Sequence, residues 1–463
     1  MTVKGNTAMK ERKELEKWSR ERDRKTFPAY ALVMIIMMCL IRLIDEFATN
    51  TFTSLQSSVI NEFYVSGQGL SYEEGLSKFS LMTTACTLVS IVAIFYGILC
   101  DKIGRKITLI ISVAGMALGM AVCWWSPDIT TFWFGRILII FFTAADVHQI
   151  YIMELAPSEK RATWISVSSF VSYLGLMSIS LARMANTHND VLNWRGVVTV
   201  PSIAAIVCCV FLFMFARETP AFLKERIAYL EKPAEQRKAE KEEAKRNKKA
   251  ESAESGFGPA FRYVMHNRQA LFCLIAGQLS WLGMMAYTFY YETIMTTGGM
   301  STGQVNSALF VYPVTMALVS FLAGVIADKY GRKNSTIVVS VIAFIALAGF
   351  LYGAGNGWNE YIVGLLYGLE VGAYWQFGGM TGLALKESVP TRIRASVGAV
   401  SGMFGLIMNI VCMVSISIIV GFAGITPVCL VTGFIGLGIP AILFALFTKE
   451  TKGTDIDALD ATE

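Results

Sequence analysis

The chain has 463 residues, of which 54% are hydrophobic and 16% charged, with Lys+Arg 40 against Asp+Glu 35 and a net charge of +5. A soluble domain carries roughly 25% charged residues, so this composition excludes a soluble enzyme, a disordered scaffold and a nucleic-acid-binding protein. Twelve spans of about 20 apolar residues need roughly 240 of them, which the chain supplies, and a polytopic helical membrane protein fits. The nine cysteines show no CxxC pair and fall mostly in apolar runs, so they read as small core residues and not as a disulfide or metal framework.

Residues 1–28 form a polar segment whose first 26 residues hold nine Lys/Arg and five acids without an apolar h-region. No cleavable signal peptide is therefore expected, and this end should stay in the cytoplasm. Apolar stretches near 29–52, 79–100, 107–126, 131–153, 163–184 and 196–216 predict six helices in residues 29–216. Those near 270–292, 305–327, 334–354, 359–385, 395–422 and 426–447 predict six more in 270–447. Between the two sets lies a loop, 217–269, and a short tail, 448–463, follows. Lys224 to Ala253 mixes both charge signs at helical spacing, which predicts a solvated surface helix serving as a linker. With both termini inside, 35 of the 40 Lys/Arg fall on the cytoplasmic side. Lys78, Arg183 and Arg195 lie outside, and Arg42 and Arg136 lie within spans, as the positive-inside rule requires. The expected fold is all-α, with twelve transmembrane helices in two six-helix bundles.

The two halves repeat each other. GILCDKIGRK at 97–106 is mirrored by GVIADKYGRK at 324–333, and ELAPSEKR at 154–161 by ESVPTRIR at 387–394. Gly97, Asp101, Gly104 and Arg105 thus pair with Gly324, Asp328, Gly331 and Arg332, and Glu154 and Arg161 with Glu387 and Arg394. Each motif sits at the cytoplasmic end of corresponding helices, which implies a duplicated six-helix unit. Glycine permits close helix approach and a sharp turn, while the acids and basic groups can form charge pairs at the membrane face. Pairs that break and remake between states would act as a cytoplasmic gate; basic residues that only anchor topology are the simpler reading.

The duplicated G-x3-D-[RK]-x-G-R-K loop resembles the signature of the major facilitator superfamily, over essentially the whole chain. Within it the chain is most similar to the sugar porter and organic ion transporter branch. YIMELAP at 151–157 resembles Y-x2-E-x2-P, and Trp194-Arg195 resembles the W-R before the sixth helix. RETP at 217–220 resembles P-E-S-P, and KETKG at 449–453 resembles P-E-T-K-G. Where sugar porters carry Q-Q-x-S-G-x-N on the seventh helix, this chain has GQLSWLG at 277–283, so the resemblance implies the transport class without fixing the ligand.

Charged groups inside a bilayer cost about 2.5–3.5 kcal/mol each and mark function. Arg42, Asp45 and Glu46 share one face of the first helix, and Asp45 falls where the resemblance places the proton-coupling Asp; a static buried ion pair is the alternative. On the fourth helix, Asp146 and Gln149 share a face, whereas a straight helix puts His148 roughly 200° from Asp146, either a relay or a packing group. Gln278 and Trp281 on the seventh helix and Glu370, Trp375 and Gln376 on the tenth complete the candidate substrate-binding set, because the resemblance lines the cavity with the first, fourth, seventh and tenth helices. Arg136 either binds an anion or snorkels to the surface.

No P-loop, metal-ligand cluster or nucleophilic triad occurs, so no enzyme activity, catalytic residue, cofactor or metal is expected. The sequence predicts a secondary transporter of the cell membrane, a proton-coupled symporter of a small polar or ionic metabolite, either an organic acid or sugar-like, working by alternating access. The partners are a small-molecule substrate, protons and the bilayer, without nucleic acid, and a monomer is expected. A facilitator, a proton antiporter exporting a metabolite or drug, and a non-transporting sensor are the rival readings.

Overall fold

The structure is a computed structural model that describes residues 2–23, 29–89, 100, 102–143, 146–157, 160–233, 235–237, 239–240, 242–243 and 256–452. Helices account for nearly all of it. In chain order they are α1 (Thr2–Asp23), α2 (Tyr30–Ser54), α3 (Gln56–Ile60), α4 (Tyr72–Thr87), α5 (Arg105–Trp125), α6 (Ile129–Thr143), α7 (Val147–Leu155), α8 (Arg161–Ala185) and α9 (Trp194–Phe215). There follow α10 (Pro220–Glu231), α11 (Phe257–His266), α12 (Arg268–Thr297), α13 (Thr302–Tyr330), α14 (Arg332–Gly355), α15 (Glu360–Glu387), α16 (Arg394–Ala423), α17 (Ile425–Gly433) and α18 (Ile439–Phe447). Among the described residues, nine helices are long and apolar enough to cross a bilayer. α2 runs 25 residues but carries Arg42, Asp45 and Glu46.

The fourth and twelfth predicted spans depart from continuous α-helix. The fourth breaks between α6 and α7, where Asp146 has φ −64° and ψ 51° and stands as the residue before α7. The twelfth is relaxed by a π-turn, Phe434–Gly438. The second helix starts earlier than predicted, at Tyr72, and Glu73 and Glu74 occupy its first turn, where acids suit the helix dipole.

The helices gather into two compact units. One comprises Met1–Thr51, Cys86–Leu176 and Arg195–Lys248. Here α5 and α6 lie against each other along their glycines: a Cβ on Gly119 would come within 2.8 Å of the Ile139 backbone nitrogen, and one on Gly135 within 2.6 Å of Cys123 Sγ. α1 packs on α10 through Trp18, Phe222, Leu223 and Ile227, with the Trp18 and Phe222 rings edge to face at 5.3 Å. The helix therefore begins at Pro220, ahead of the predicted stretch 224–253; within that stretch Ile227 joins the apolar face under the N-terminal helix, while Lys224 and Glu225 are exposed.

The other unit comprises Phe52–Ala85, Met177–Trp194 and Lys249–Glu463. α15 runs through it against α13 and α14. Gly364, Gly368 and Gly372 recur every fourth residue on α15, and a Cβ on any of them would strike α13 at Ala308, Tyr312 or Met316, the close approach that small residues allow in membrane helices. Ser301 and Gln304 form a capping box that starts α13. A two-residue hairpin, β1 (Thr187–His188) and β2 (Val191–Leu192), turns at Asn189 and Asp190, both with positive φ.

Candidate transport site

The first-helix charges meet the fourth-helix acid in the first unit. Arg42 donates to Asp45 Oδ2 at 3.2 Å and to Asp146 Oδ1 at 3.2 Å, and pairs with Glu46 Oε1 at 2.6 Å. Asn50 Nδ2 holds the other Glu46 oxygen at 3.0 Å. Gly175 of α8 lets that helix press on this segment, since a Cβ there would lie 2.5 Å from the Leu43 carbonyl oxygen. The break before α7 overturns the straight-helix reading of His148: its Nε2 lies 3.9 Å from Asp146 Oδ1 rather than on the opposite side. His148 and Asp45 also line one narrow cavity with Ser112, Phe142 and Thr143. Asp45, Asp146 and His148 place one potential ligand atom each within 4.8 Å of one another, but Arg42 already supplies a cation to both carboxylates. Gln149 is half-buried, and its backbone N–H bonds to the Asp146 carbonyl at 2.9 Å. Arg136 is 6% exposed and so is buried, not turned to the surface as a snorkelling side chain would be.

The repeated loops build two matching networks, one in each unit. Gly104 has φ 101° and Gly331 φ 93°, conformations that cost an L-residue strain, and a Cβ on either would overlap the Glu218 or Glu450 carboxylate. Glu218 Oε1 accepts the backbone N–H of Arg105 at 2.8 Å and of Thr219 at 3.1 Å. Glu450 Oε1 accepts those of Arg332 at 2.7 Å, Thr451 at 3.0 Å and Lys452 at 2.9 Å. Arg105 Nε donates to Glu154 Oε1 at 3.1 Å, and Arg332 Nε lies 3.7 Å from Glu387 Oε1. The Thr219 hydroxyl donates to Glu154, and that of Thr451 to Glu387.

Each network thus closes within its own repeat. Glu218-Thr219 and Glu450-Thr451 are a third repeated pair, carried by the RETP and KETKG segments but not evident as a repeat from their sequences alone. The signal was present, because their offset falls between those of the other two motifs. Arg394 Nε donates to the Lys386 carbonyl at 3.0 Å, fastening the start of α16; Arg161 is exposed at the start of α8. Gly97 and Asp101 lie outside the described residues, and Gly324 and Asp328 fall on α13, where nothing is described of their side chains.

In the second unit Gln278 Nε2 donates to the Ser401 hydroxyl and carbonyl, each at 3.3 Å. A Cβ on Gly405 would lie 3.3 Å from Gln278 Oε1 and 3.6 Å from Trp281 Nε1, so these two side chains share one stretch of α16. Glu370 is fully buried on α15, near Tyr367 and Tyr374. Trp375, against which Tyr374 packs edge-on, is 45% exposed and Gln376 half-buried; these two do not join the Gln278 and Trp281 group.

The family model of the Major Facilitator Superfamily matches residues 26–415. The chain belongs to this superfamily. It is 25% identical over 420 residues, 83% of this chain and 81% of the relative, to a putative sugar transporter, ERD6-like 13, of Arabidopsis thaliana. It is 24% identical over 270 residues, 56% of this chain and 57% of the relative, to a galactose-proton symporter of Escherichia coli strain K12. The crystal structure of a D-xylose-proton symporter superposes with a TM-score of 0.70 over 92% of this chain and 99% of that one, at 17% identity. The fold is therefore that of the superfamily, twelve membrane helices in two bundles, and the protein is a multi-pass membrane transporter of a small molecule, not an enzyme.

One pairing that sequence reasoning did not make lies in the second unit. Arg183, counted from the sequence as an external basic residue, is buried at 1% exposure, and its partner Glu292 at 2%. Arg195 caps α5, donating to the Trp124 carbonyl at 3.1 Å and the Ser126 carbonyl at 3.0 Å.

Proposed function

We propose that this protein is a proton-coupled symporter that takes up a sugar or sugar-like polar metabolite across the cell membrane by alternating access. Its basic end and both termini face the cytoplasm, and the repeats 29–216 and 270–447 are the moving bodies, joined by 217–269. The observation that carries the reading is the Arg42 cluster. One guanidinium faces Asp45, Glu46 and Asp146, so a proton can come and go on a carboxylate as the site meets water, without stripping Arg42 of every partner. His148 sits beside Asp146, its Nε2 3.9 Å from Oδ1. Among relatives, a galactose-proton symporter and a sugar transporter by name support the substrate class and the coupling ion. Gln278 and Trp281, which share one stretch of α16, supply hydrogen-bonding and stacking groups of the kind that a polyol needs in the second repeat.

Asp45→Asn tests this in proteoliposomes under an imposed pH gradient. Uphill sugar accumulation is expected to vanish while counterflow exchange persists. Accumulation at the wild-type level in the variant would refute Asp45 as the coupling group.

A further inference from the structure

Arg183, at the end of α8, and Glu292 of α12 form a buried pair in the second unit, Nη1 to Oε1 at 3.7 Å. Arg183 Nε donates to Asn306 Oδ1 of α13 at 2.7 Å, and Nη1 donates to the Ser54 carbonyl at the end of α2. Glu292 Oε2 accepts both the backbone N–H of Ser57, at 2.9 Å, and its hydroxyl, at 2.5 Å. Residues of α2, α3, α8, α12 and α13 therefore meet on two charges. The hairpin reinforces the junction: Asn306 Nδ2 donates to the Thr187 hydroxyl at 2.9 Å, and Asp190 Oδ1 accepts the Gly303 N–H at 3.1 Å.

A buried ion pair is a poor way to glue helices permanently, since apolar residues of similar size often serve as well. What it offers is a switch, because two separated charges recover their hydration whereas one orphaned in a dry interior does not. Access exists for such a switch. A cleft lined by Ser58, Asn61, Glu62, Asp190 and Thr297 opens onto Arg183 and Glu292. The groups facing the carboxylate are Arg183 from α8, Tyr72 from α4 through the Ser57 hydroxyl at 3.0 Å, Tyr291 beside it on α12, and Glu62 and Asp190 along the cleft. Arg183 is the cation of this set.

We propose that Arg183 and Glu292 are the lock of the transporter's outer mouth, and that a proton arriving through the cleft on Glu292 releases it. The neutral acid no longer balances Arg183, which regains a favourable environment only when the mouth opens to water. The proposal rests on the transport reading for its direction, since a lock opened by external protons admits substrate and proton from the same side.

The test is hydrogen exchange of the full-length protein in detergent micelles without substrate, at pH 5.5 and 7.5, corrected for intrinsic rates, in peptides covering residues 54–66 and 293–307. In the wild type, exchange is expected to be at least tenfold faster at the lower pH. Glu292→Gln should be fast at both values. The double variant Arg183→Met with Glu292→Leu should be slow at both, closing the mouth by packing without charge. A wild-type pH response in Glu292→Gln would overturn the proposal. Should that variant fail to fold, a pH response surviving in the double variant overturns it equally. Because exchange needs no substrate, a lock that behaves as described in a protein without uphill uptake would sink the symport reading and leave the lock standing.

Discussion

Replacing Glu450 with Gln keeps an oxygen for the N–H groups of Arg332, Thr451 and Lys452 but sets an amide N–H against that of Lys333, which Oε2 accepts at 3.1 Å. One charge-assisted hydrogen bond is worth about 1.5–3 kcal/mol, and the exposed position of Glu450 reduces this to about 1–2 kcal/mol. At roughly 2–4 °C per kcal/mol for a large domain, Tm should fall by about 2–8 °C at pH 7. Burial pushes the Glu450 carboxyl up, but the backbone donors of Lys452, Arg332, Lys333 and Thr451 together outweigh it and hold it below its ordinary value. Its contribution is therefore present above the unfolded value of about 4.3 and is lost as pH falls through the lower folded value.

Glu218 occupies the same cradle in the first repeat but is 5% exposed. There burial wins over the N–H donors of Thr219, Lys106 and Arg105, and the carboxyl sits above its ordinary value. The folded protein takes this proton before the unfolded chain does, so the contribution is present below about 4.3 and is lost as pH rises through the folded value. The stability gap between wild type and Glu450→Gln should widen with rising pH, and that between wild type and Glu218→Gln should narrow. Scanning fluorimetry of the full chain in detergent between pH 3.5 and 8 reads both. Gaps that move in the same direction would refute the claim that burial decides one cradle and backbone donors the other.

Gly331→Ala forces an L-residue to φ 93° and ψ 165°, at about 1–3 kcal/mol, and displaces the Glu450 carboxylate as well. Its effect on Tm should at least match that of Glu450→Gln, and the double variant should fall short of the sum because both break one network; additive losses would place the strain elsewhere. Trp18→Ala removes the ring that packs on Phe222, a loss of about 3–5 kcal/mol for a core Trp. Amide exchange in 220–231 should rise while Tm of the membrane helices stays put, and unchanged exchange would mean that α1 does not hold α10.

Hydrophobic runs made the twelve spans legible, since a helix in lipid must be apolar along its whole length. The duplicated loops were legible because their glycines and charges recur in the same order. What escaped was whatever depends on departure from an ideal rod or on a distant partner. A periodicity argument holds Asp146 and His148 apart only while Asp146 is helical, and it is not. Arg183 lay inside the apolar run 163–184 and Glu292 inside 270–292, but two charges 109 positions apart become a pair only once the helix ends are folded together. The apolar face of α10 was hidden for the opposite reason: Phe222, Leu223 and Ile227 are outnumbered by charged neighbours in that stretch.

The two cradles and the Arg183 pair bear differently on a change of state. Arg105 reaches Glu154 and its backbone reaches Glu218; Arg332 does the same with Glu387 and Glu450. A rigid movement of one repeat against the other leaves all of these contacts intact, so they add to stability without weighting one state over another. Arg183 and Glu292 come from different repeats, and separating the ends of α8 and α12 must break them. Moving a two-state equilibrium from 1:99 to 99:1 takes about 5.5 kcal/mol, and removing one partner of a buried pair costs about 3–5 kcal/mol. A single substitution at Arg183 or Glu292 should therefore approach the effect of a bound ligand on the population of states, whereas the same change at Glu218 or Glu450 should move Tm alone.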